Sequence, residues 1–309
     1  MTGIVVRRIL IGLFVIWGAV SLMFVIVRLA PGDPATLLLG PDASTADIRQ
    51  MRSRMGLDDP VLTQYATYLW HALSLDFGTS YRLDEPAVDA VLGSLPNTLE
   101  LTSSASVIAV VIGLPLGVLA ARRPGGLVDR LVSGFTLLLQ SLPTFWVGIM
   151  LVLLFAVTLG LLPTSGAGSP RYLVLPAVTL ALPFTAMVGR LTRAGVVEAM
   201  SEPYIRTARS KGLTEGQVLF GHALKNSLIP VITVVGLQMG TLLGGAVIVE
   251  NVFAWPGLGT MVVESVAGRD YAVVQAAALF IAAIVVALNL TADLLYSRLD
   301  ARIRIEVRR

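Results

Sequence analysis

Six long runs without a charged residue constrain what this chain of 309 residues can fold into. They are Ile9–Val27, Leu101–Ala121, Leu131–Pro170, Tyr172–Gly189, Asn226–Val249 and Tyr271–Ala292. A helix needs about 20 apolar residues to cross the hydrocarbon core of a bilayer, and its backbone must satisfy its own hydrogen bonds there. Only 14% of the residues are charged, against about 25% in ordinary soluble domains. The sequence therefore predicts an all-α integral membrane protein.

These runs predict about six transmembrane helices. The predicted spans are residues 9–29, 101–121, 133–160, 172–194, 227–249 and 272–296. The third run has room for one span and a loop, or for two short helices; because Leu161–Pro170 is rich in turn-forming residues, we count it once. The first run follows Arg7 and Arg8, as in a signal peptide, but it is too long for one, and we interpret it as a retained span.

The charged residues are divided unequally between the two sides of this arrangement. Alternate segments hold 16 of the 23 basic residues and only 7 of the 20 acidic ones, namely residues 1–8, 122–130, 190–225 and 293–309. Basic residues concentrate on the cytoplasmic side of membrane proteins, so both termini are expected in the cytoplasm. Residues 31–97 then form an extracytoplasmic helical segment, and residues 198–226 lie in the cytoplasm.

The composition excludes several kinds of site. The chain has no cysteine, and its two histidines, His71 and His222, fall in different segments, so no metal site built on these residues is expected. No glycine is followed by lysine, which excludes the phosphate-binding loop of P-loop ATPases. We therefore expect this chain to bind no metal, cofactor or nucleic acid, and any use of ATP must come from a partner.

The extracytoplasmic segment is predicted to hold two amphipathic helices. Ser44 or Thr45 can cap the first, which runs to about Met55, and Pro60 opens the second, at Val61–Leu75. The segment is too small to be an independent catalytic domain. It is either a solvated cap on the spans or a docking platform for an external binding protein, for which the acidic candidates are Asp58, Asp59, Asp76, Asp84 and Glu85.

Small residues and prolines recur inside the predicted spans. Gly236, Gly240 and Gly244 lie four residues apart, so they share one face of the fifth span, where another helix can approach closely. Gly113 and Gly117 repeat this spacing in the second span, although ordinary packing explains each glycine taken singly. Proline frees a carbonyl inside a helix, a break that a polar pathway tolerates, and prolines stand at Pro115, Pro143, Pro176 and Pro183.

The cytoplasmic segment predicts two consecutive helices. Ser201 is a suitable N-cap with Pro203 in the first turn, and Gly212 is placed to end the helix, after Lys211, in a left-handed conformation. Residues 214–217 have the spacing of a capping box, so a second helix is predicted to start at once. Such a basic helix suits anchoring to anionic lipid or contact with a protein. Anchoring does not require two capped helices joined at a glycine, so a protein partner is favoured.

The residues of this loop resemble those of a known family. Residues 204–230, YIRTARSKGLTEGQVLFGHALKNSLIP, are similar to the cytoplasmic coupling loop of binding-protein-dependent ABC importers, in the form typical of dipeptide, oligopeptide and nickel permeases. Arg206 and the Lys225-Asn226 pair depart from the general importer pattern as peptide-type members do. Further blocks that resemble the B-type permease are RLAPGDP at 28–34, GLDDP at 56–60, DFGTSY at 76–81, LPNTLEL at 95–101, SLPTFWVG at 141–148 and VENVFAWPGLG at 249–259.

The resemblance implies a type I ABC importer permease fold with a coupling helix at Glu202–Lys211, in the cell membrane of a prokaryote. It implies a complex with a second homologous permease, two ATPase subunits that use ATP and Mg, and an extracytoplasmic substrate-binding protein. The chain would be a permease and not itself an enzyme. Peptides are the first expected substrate, with nickel chelates and haem as alternatives. The implied coupling residues are Glu202, Tyr204, Arg206, Ala208, Arg209, Lys211, Gly212 and Leu213.

Two other classes of function are weighed against this one. Ion-coupled secondary transporters place ionisable groups at mid-membrane and repeat their own spans, whereas the apolar runs here contain no charged residue and no motif occurs twice. An intramembrane hydrolase would need a nucleophile and base together, but Ser165 and His222 are assigned to opposite sides of the membrane. Both alternatives are therefore disfavoured.

Overall fold

The computed structural model describes residues 2–29, 34–39, 43–54 and 56–299, and almost all of its regular structure is helical. The helices are α1 (Thr2–Leu29), α2 (Pro34–Leu39), α3 (Thr45–Arg54), α4 (Val61–Ser74), α5 (Ala87–Ala121), α6 (Leu127–Ser141), α7 (Thr144–Leu151), α8 (Pro170–Ser201), α9 (Pro203–Ser210), α10 (Glu215–Val218), α11 (Leu224–Phe253), α12 (Leu258–Ala267) and α13 (Tyr271–Leu299). Two short antiparallel strands, β1 (Thr79–Ser80) and β2 (Glu85–Pro86), form a hairpin before α5.

Among the described residues, five helices are long and apolar enough to cross a membrane by themselves, and the bent pair formed by α6 and α7 makes a sixth candidate span. The five are α1, α5, α8, α11 and α13. About six spans were predicted, and the fold class is confirmed. The side of the membrane on which the two termini lie stays a prediction. Met1 and residues 300–309 lie outside the described residues.

The third predicted span, 133–160, differs from the structure. Helix α6 ends at Ser141, α7 begins at Thr144 and continues as a π-helical stretch, Val152–Thr158, and the two parts meet at an angle of 101°. Pro143 causes the break, because proline donates no backbone hydrogen bond and disfavours helical geometry in Leu142 before it, which is extended. The turn-forming segment after this span is irregular as predicted, over residues 161–169.

Contacts group the helices into two units. The first unit comprises residues up to Pro96 together with Thr260–Val286, and the second comprises Asn97–Gly259 together with the residues from Ala287 onward. In the first unit, the two helices predicted within residues 31–97 are present as α3 and α4. Ser44 caps α3, since its hydroxyl oxygen accepts a hydrogen bond from the Asp47 amide at 3.2 Å. The predicted end at Met55 lies outside the described residues, as do residues 30–33 of the RLAPGDP block.

The core of the second unit is built around α8. This helix buries a long series of apolar residues, including Leu180, Phe184 and Val188, against α11, α6 and α7. It starts two residues before its predicted span and continues past residue 194 to Ser201. It also runs through Pro176 and Pro183 without interruption, so these two prolines do not end the helix.

Close helix packing in the second unit depends on glycine at two positions of α5. A Cβ atom on Gly117 would lie 2.5 Å from the carbonyl oxygen of Gly189, and one on Gly113 would lie 2.9 Å from the carbonyl oxygen of Thr185. Both neighbours are backbone atoms of α8, which cannot move aside as a side chain can. The spacing of small residues therefore marks a true crossing of α5 and α8.

The glycines of the face predicted for the fifth span differ in whether another helix lies against them. A Cβ on Gly236 would lie 2.9 Å from the Cβ of Ala292 in α13, so a helix of this chain approaches there. A Cβ on Gly244 would meet nothing within 4 Å among the described residues. The role predicted for Gly236, Gly240 and Gly244 as one crossing face thus stays a prediction.

We expect Gly117→Ala to destabilise the permease, because the added methyl group must displace the backbone of α8, and overpacking costs on the order of 1–3 kcal/mol. Gly134→Ala in α6 is the matched control, since its Cβ would meet no described residue within 4 Å. The measurement is the thermal midpoint of the purified protein in detergent. Equal midpoints for the two variants would contradict a tight α5–α8 crossing.

Candidate functional site

The predicted coupling helix is present as α9, slightly shorter than expected. Ser201 is not its N-cap, because Ser201 still belongs to α8 and its hydroxyl donates to the carbonyl of Glu198. Glu202 takes the N-cap position in an extended conformation (φ −71°, ψ 148°), and Pro203 is the first helical residue. A residue before proline avoids the helical region, which explains why the chain turns at Glu202.

Gly212 ends the coupling region as predicted. Its φ is +81°, in the left-handed region, and its amide donates to the carbonyl of Arg209 at 2.9 Å. The capping box also forms, since the Gln217 amide donates to the Thr214 hydroxyl at 3.4 Å and the Thr214 amide donates to the Gln217 side chain at 2.9 Å. Helix α10 continues through a π-helical stretch, Leu219–Ala223, directly into α11.

One face of α9 is buried and the other is exposed. Ile205 and Ala208 are buried in an apolar cluster with Val118 of α5, Val196 of α8 and Val218 of α10. This cluster, which we call the inner cluster, fixes α9 to the ends of two long helices. Among the residues predicted to meet a partner, Ala208 therefore faces the protein interior, and Leu213 packs partly against the inner cluster. The exposed ones are Glu202, Tyr204, Arg206, Arg209, Lys211 and Gly212.

Arg209 makes an ion pair within the loop. Its guanidinium donates to both carboxylate oxygens of Glu215, with Nε to Oε1 at 2.8 Å and Nη2 to Oε2 at 3.1 Å. The hydrogen bond from Arg209 lowers the pKa of Glu215 and raises that of Arg209. Such a lowered carboxyl pKa stabilises the pairing above the usual glutamate pKa, and the contribution is lost as pH falls through the lowered value. The pair spans Gly212 and so restrains the turn between α9 and α10.

The predicted docking carboxylates lie at several places in the first unit. Asp58 pairs with Arg52 at 3.0 Å, and Asp76 lies 3.6 Å from the Nδ1 of His71. Asp84 adopts a positive φ of 55° in the turn of the hairpin, and Glu85 opens β2. The sequence placed these five residues in one segment. In the structure, Asp58 is paired with an arginine, Asp76 lies beside a histidine, and Asp84 has the backbone conformation of the hairpin turn.

A cavity of about 560 Å³ lies within the first unit. Asp59 and Asp76 line it together with Arg28, His71 and Arg269. Arg269, at the start of the turn into α13, has a φ of +59°, unusual for a residue with a side chain. Positive and negative groups thus share one concave wall, which suits a solute or a protein surface that carries both charges. Of these five residues, the sequence analysis proposed only Asp59 and Asp76 as site residues.

A buried glutamate organises the block VENVFAWPGLG. Glu250 has no exposed surface; its carboxylate accepts a hydrogen bond from the Thr98 hydroxyl at 2.6 Å and one from the Gly259 amide at 2.7 Å. The Leu258 amide donates to the same Thr98 hydroxyl at 2.8 Å. A Cβ on Gly257 would lie 2.3 Å from this carboxylate, so glycine is required for the chain to fold over it. Its sequence signal was a single acidic residue directly after an apolar run.

A second charged group that sequence reasoning missed links α6 to α8. Asp129 is almost fully buried and forms a two-pronged ion pair with Arg193, with Arg193 Nη2 to Asp129 Oδ2 at 2.7 Å. The Gly125 amide also donates to this carboxylate at 2.8 Å. The sequence counted both residues only as charges of inner segments. Their opposite signs were the available signal, but no periodicity pairs residues 64 positions apart.

We expect Glu250→Ala to destabilise the second unit, because it leaves buried donors on Thr98 and Gly259 without their acceptor, at about 1–3 kcal/mol for each. Glu250→Gln should lose less, since one carbonyl oxygen remains. Glu264→Gln is the control, because Glu264 is exposed and paired with Arg82. Thermal unfolding in detergent measures the effect, and a Glu250→Ala protein as stable as the control would refute the organising role of Glu250.

Comparison with known proteins agrees with this architecture. Residues 113–305 match the family described as binding-protein-dependent transport system inner membrane component, and residues 1–102 match its N-terminal region. The oligopeptide transport system permease protein AppB of Bacillus subtilis (strain 168) is 40% identical over 314 residues, covering 98% of this chain and 99% of that protein. The glutathione transport system permease protein GsiC of Escherichia coli (strain K12) is 41% identical over 305 residues, with the same coverage.

Solved structures show the same fold. An inward-facing structure of the methionine ABC transporter MetNI superposes with a TM-score of 0.59 at 21% identity, over 68% of this chain and 96% of the matched chain. An amino acid ABC transporter with histidines superposes with a TM-score of 0.52 at 21% identity, over 69% and 94%. The resemblance noted in the sequence is thus confirmed over nearly the whole chain, which belongs to the family of binding-protein-dependent transport system inner membrane components.

Proposed function

We propose that this permease imports di- or oligopeptides that an extracytoplasmic binding protein delivers, driven by ATP hydrolysis in partner subunits. The observation that carries the proposal is the 40% identity to an oligopeptide permease over 98% of this chain. The similar identity to a glutathione permease supports a peptide of small size, since glutathione is a tripeptide. Nickel chelates and haem are the alternative substrates.

The partner subunits are inferred from the missing ATP-binding motif and from the distribution of charge in the chain. It contains no P-loop lysine motif, so we assign ATP and Mg to two ATPase subunits that dock on the cytoplasmic side. A second homologous permease completes the pathway. The unequal distribution of basic residues supports an orientation in which both termini and the loop containing α9 lie in the cytoplasm.

Helix α9 is the element that we assign to coupling. Its buried face joins the inner cluster with α5 and α8, and its outer face carries Tyr204 and Arg206. A push on the outer face therefore reaches two long helices through packed side chains, which do not compress. Arg206 is the better candidate for a contact with the ATPase, because Arg209 already pairs with Glu215.

The binding protein is assigned to the opposite side of the membrane. Asp59, Asp84 and Glu85 supply negative charge on the first unit that complements basic patches on a partner. Asp58 contributes less net field, because Arg52 lies beside it. The proposed role of the outer carboxylates is to steer the binding protein during encounter, a role weakened by salt.

The function is tested by reconstituting the permease pair with its ATPases in vesicles and adding the binding protein loaded with labelled peptide. We expect uptake that requires ATP and the binding protein, and that continues when ion gradients are collapsed. Competition by unlabelled dipeptides, nickel chelates and haem identifies the substrate class. Uptake that follows a proton gradient without ATP would contradict the proposal.

Gly212→Val tests coupling in the same vesicles. Valine resists a φ of +81°, so the turn after α9 should be displaced and uptake should fall at least tenfold, which corresponds to about 1.4 kcal/mol. Gly216→Val is the matched control, because Gly216 lies in the first turn of α10 and has no positive φ. In the part of the chain that the structure describes, no atom lies within 4 Å of a Cβ added there.

If α9 transmits motion, assembled Gly212→Val complexes should hydrolyse ATP without transporting peptide. If α9 only docks the ATPases, these subunits should be lost on purification. Arg206→Glu is expected to show the same defects with the loop backbone intact. Unchanged assembly, stimulated hydrolysis and uptake in both variants would refute the assignment of α9 to coupling.

A further inference from the structure

Helix α4 of the first unit has three chemically different faces. One face contacts α1 through Gln64, Tyr65 and Tyr68. A second face is polar and carries Thr63, Thr67, His71 and Ser74, of which Thr67 and His71 line the cavity of that unit. The third face is apolar and is formed by Leu62, Ala66, Leu69, Trp70 and Leu73, which recur at helical spacing.

The apolar face is strongly exposed. Leu62 is 84% exposed, Trp70 70% and Leu73 81%. A protein surface in water rarely presents such large side chains side by side, so this stripe needs a partner. The chemistry of that partner is indicated by the position at which α4 is held.

The contacts with α1 fix the depth of α4. Ser21 and Tyr65 share a hydrogen bond at 2.6 Å between their hydroxyl oxygens, and the ring of Phe24 lies 5.1 Å from that of Tyr65. Arg28 donates to the side chain of Gln64 and stacks on Phe24. Ser21 and Phe24 belong to the charge-free run Ile9–Val27, the part of α1 that crosses the hydrocarbon.

The rise of an α-helix converts these positions into distances. Ser21 precedes the end of the run at Val27 by six residues, or about 9 Å at 1.5 Å per residue. The Tyr65 hydroxyl therefore lies below the outer boundary of the apolar part of α1, and the side chain of Gln64, beside Arg28, lies at that boundary. Amphipathic helices that lie in a membrane surface bury their apolar face by about 5–10 Å, which is the same depth.

We propose that α4 is an interfacial helix that lies in the outer leaflet of the bilayer, with Leu62, Trp70 and Leu73 among the acyl chains. Its polar face then points to the aqueous side and to the cavity. Trp70 suits this place, since tryptophan concentrates where hydrocarbon meets headgroups. The proposal is independent of the transported solute. It places within the membrane part of a segment for which the sequence left open a solvated cap or a docking platform.

Because this chain has no cysteine, a single-cysteine variant can be labelled at one position before it is assembled with its partners. Spin labels are placed at Leu62→Cys and Leu73→Cys, with Thr63→Cys and Ser74→Cys as matched controls one residue away on the polar face. The assembled transporter in phospholipid nanodiscs is exposed to oxygen, which partitions into lipid, and to a water-soluble nickel chelate. Labels at 62 and 73 should relax faster with oxygen, and labels at 63 and 74 faster with nickel.

Two outcomes would overturn the proposal. Labels at 62 and 73 that respond to nickel as strongly as the controls would place the stripe in water. Labels shielded from both reagents would show that a protein, such as the binding protein or the second permease, covers the stripe.

A second measurement needs no cysteine. Trp70 fluorescence, taken as the difference between the wild type and Trp70→Phe, should be quenched by brominated acyl chains, and an unquenched difference would contradict lipid contact. This readout stays available where a cysteine variant fails to assemble.

Discussion

Hydrocarbon offers a peptide backbone no hydrogen-bonding partner, and the breaks between helices in this chain are arranged under that constraint. Helix α8 runs unbroken through Pro176 and Pro183. The sharp break at Pro143 is different, because α6 and α7 diverge there by 101°. The Val147 amide regains a partner in the Pro143 carbonyl at 3.1 Å, so the chain restarts helical bonding immediately after the bend.

The loop that contains α9 packs against continuous helices. The inner cluster joins Ile205 of α9 to Val118 of α5 and Val196 of α8, and α5 crosses α8 with glycine against backbone. The ion pair of Asp129 with Arg193 adds α6 to the same bundle end. A displaced α9 would therefore move several helices together, because close-packed cores transmit strain instead of absorbing it.

Local signals in the sequence were sufficient for much of this architecture. Apolar runs predicted the spans, Gly212 predicted the end of the coupling helix, and the motif at Thr214 predicted the start of the next one, since each depends on residues close in the chain. The cap at Ser201 was wrong because Pro203 displaces the boundary by one residue. The Asp129–Arg193 pair and the Glu250 site depend on contacts between distant residues, which no local pattern specifies. The bend at Pro143 has a local cause, but Pro176 and Pro183 are prolines inside an unbroken helix, so proline alone does not predict a bend.

The buried charges of the second unit also bear on selectivity. Asp129 is held by Arg193 and Gly125, and Glu250 by Thr98 and Gly259, so these carboxylates are already engaged in holding helices and turns together. A buried group that is fully hydrogen-bonded cannot bind a passing solute without losing its structural partners. Recognition of the solute therefore falls to groups elsewhere, which agrees with a family whose transport depends on a separate binding protein.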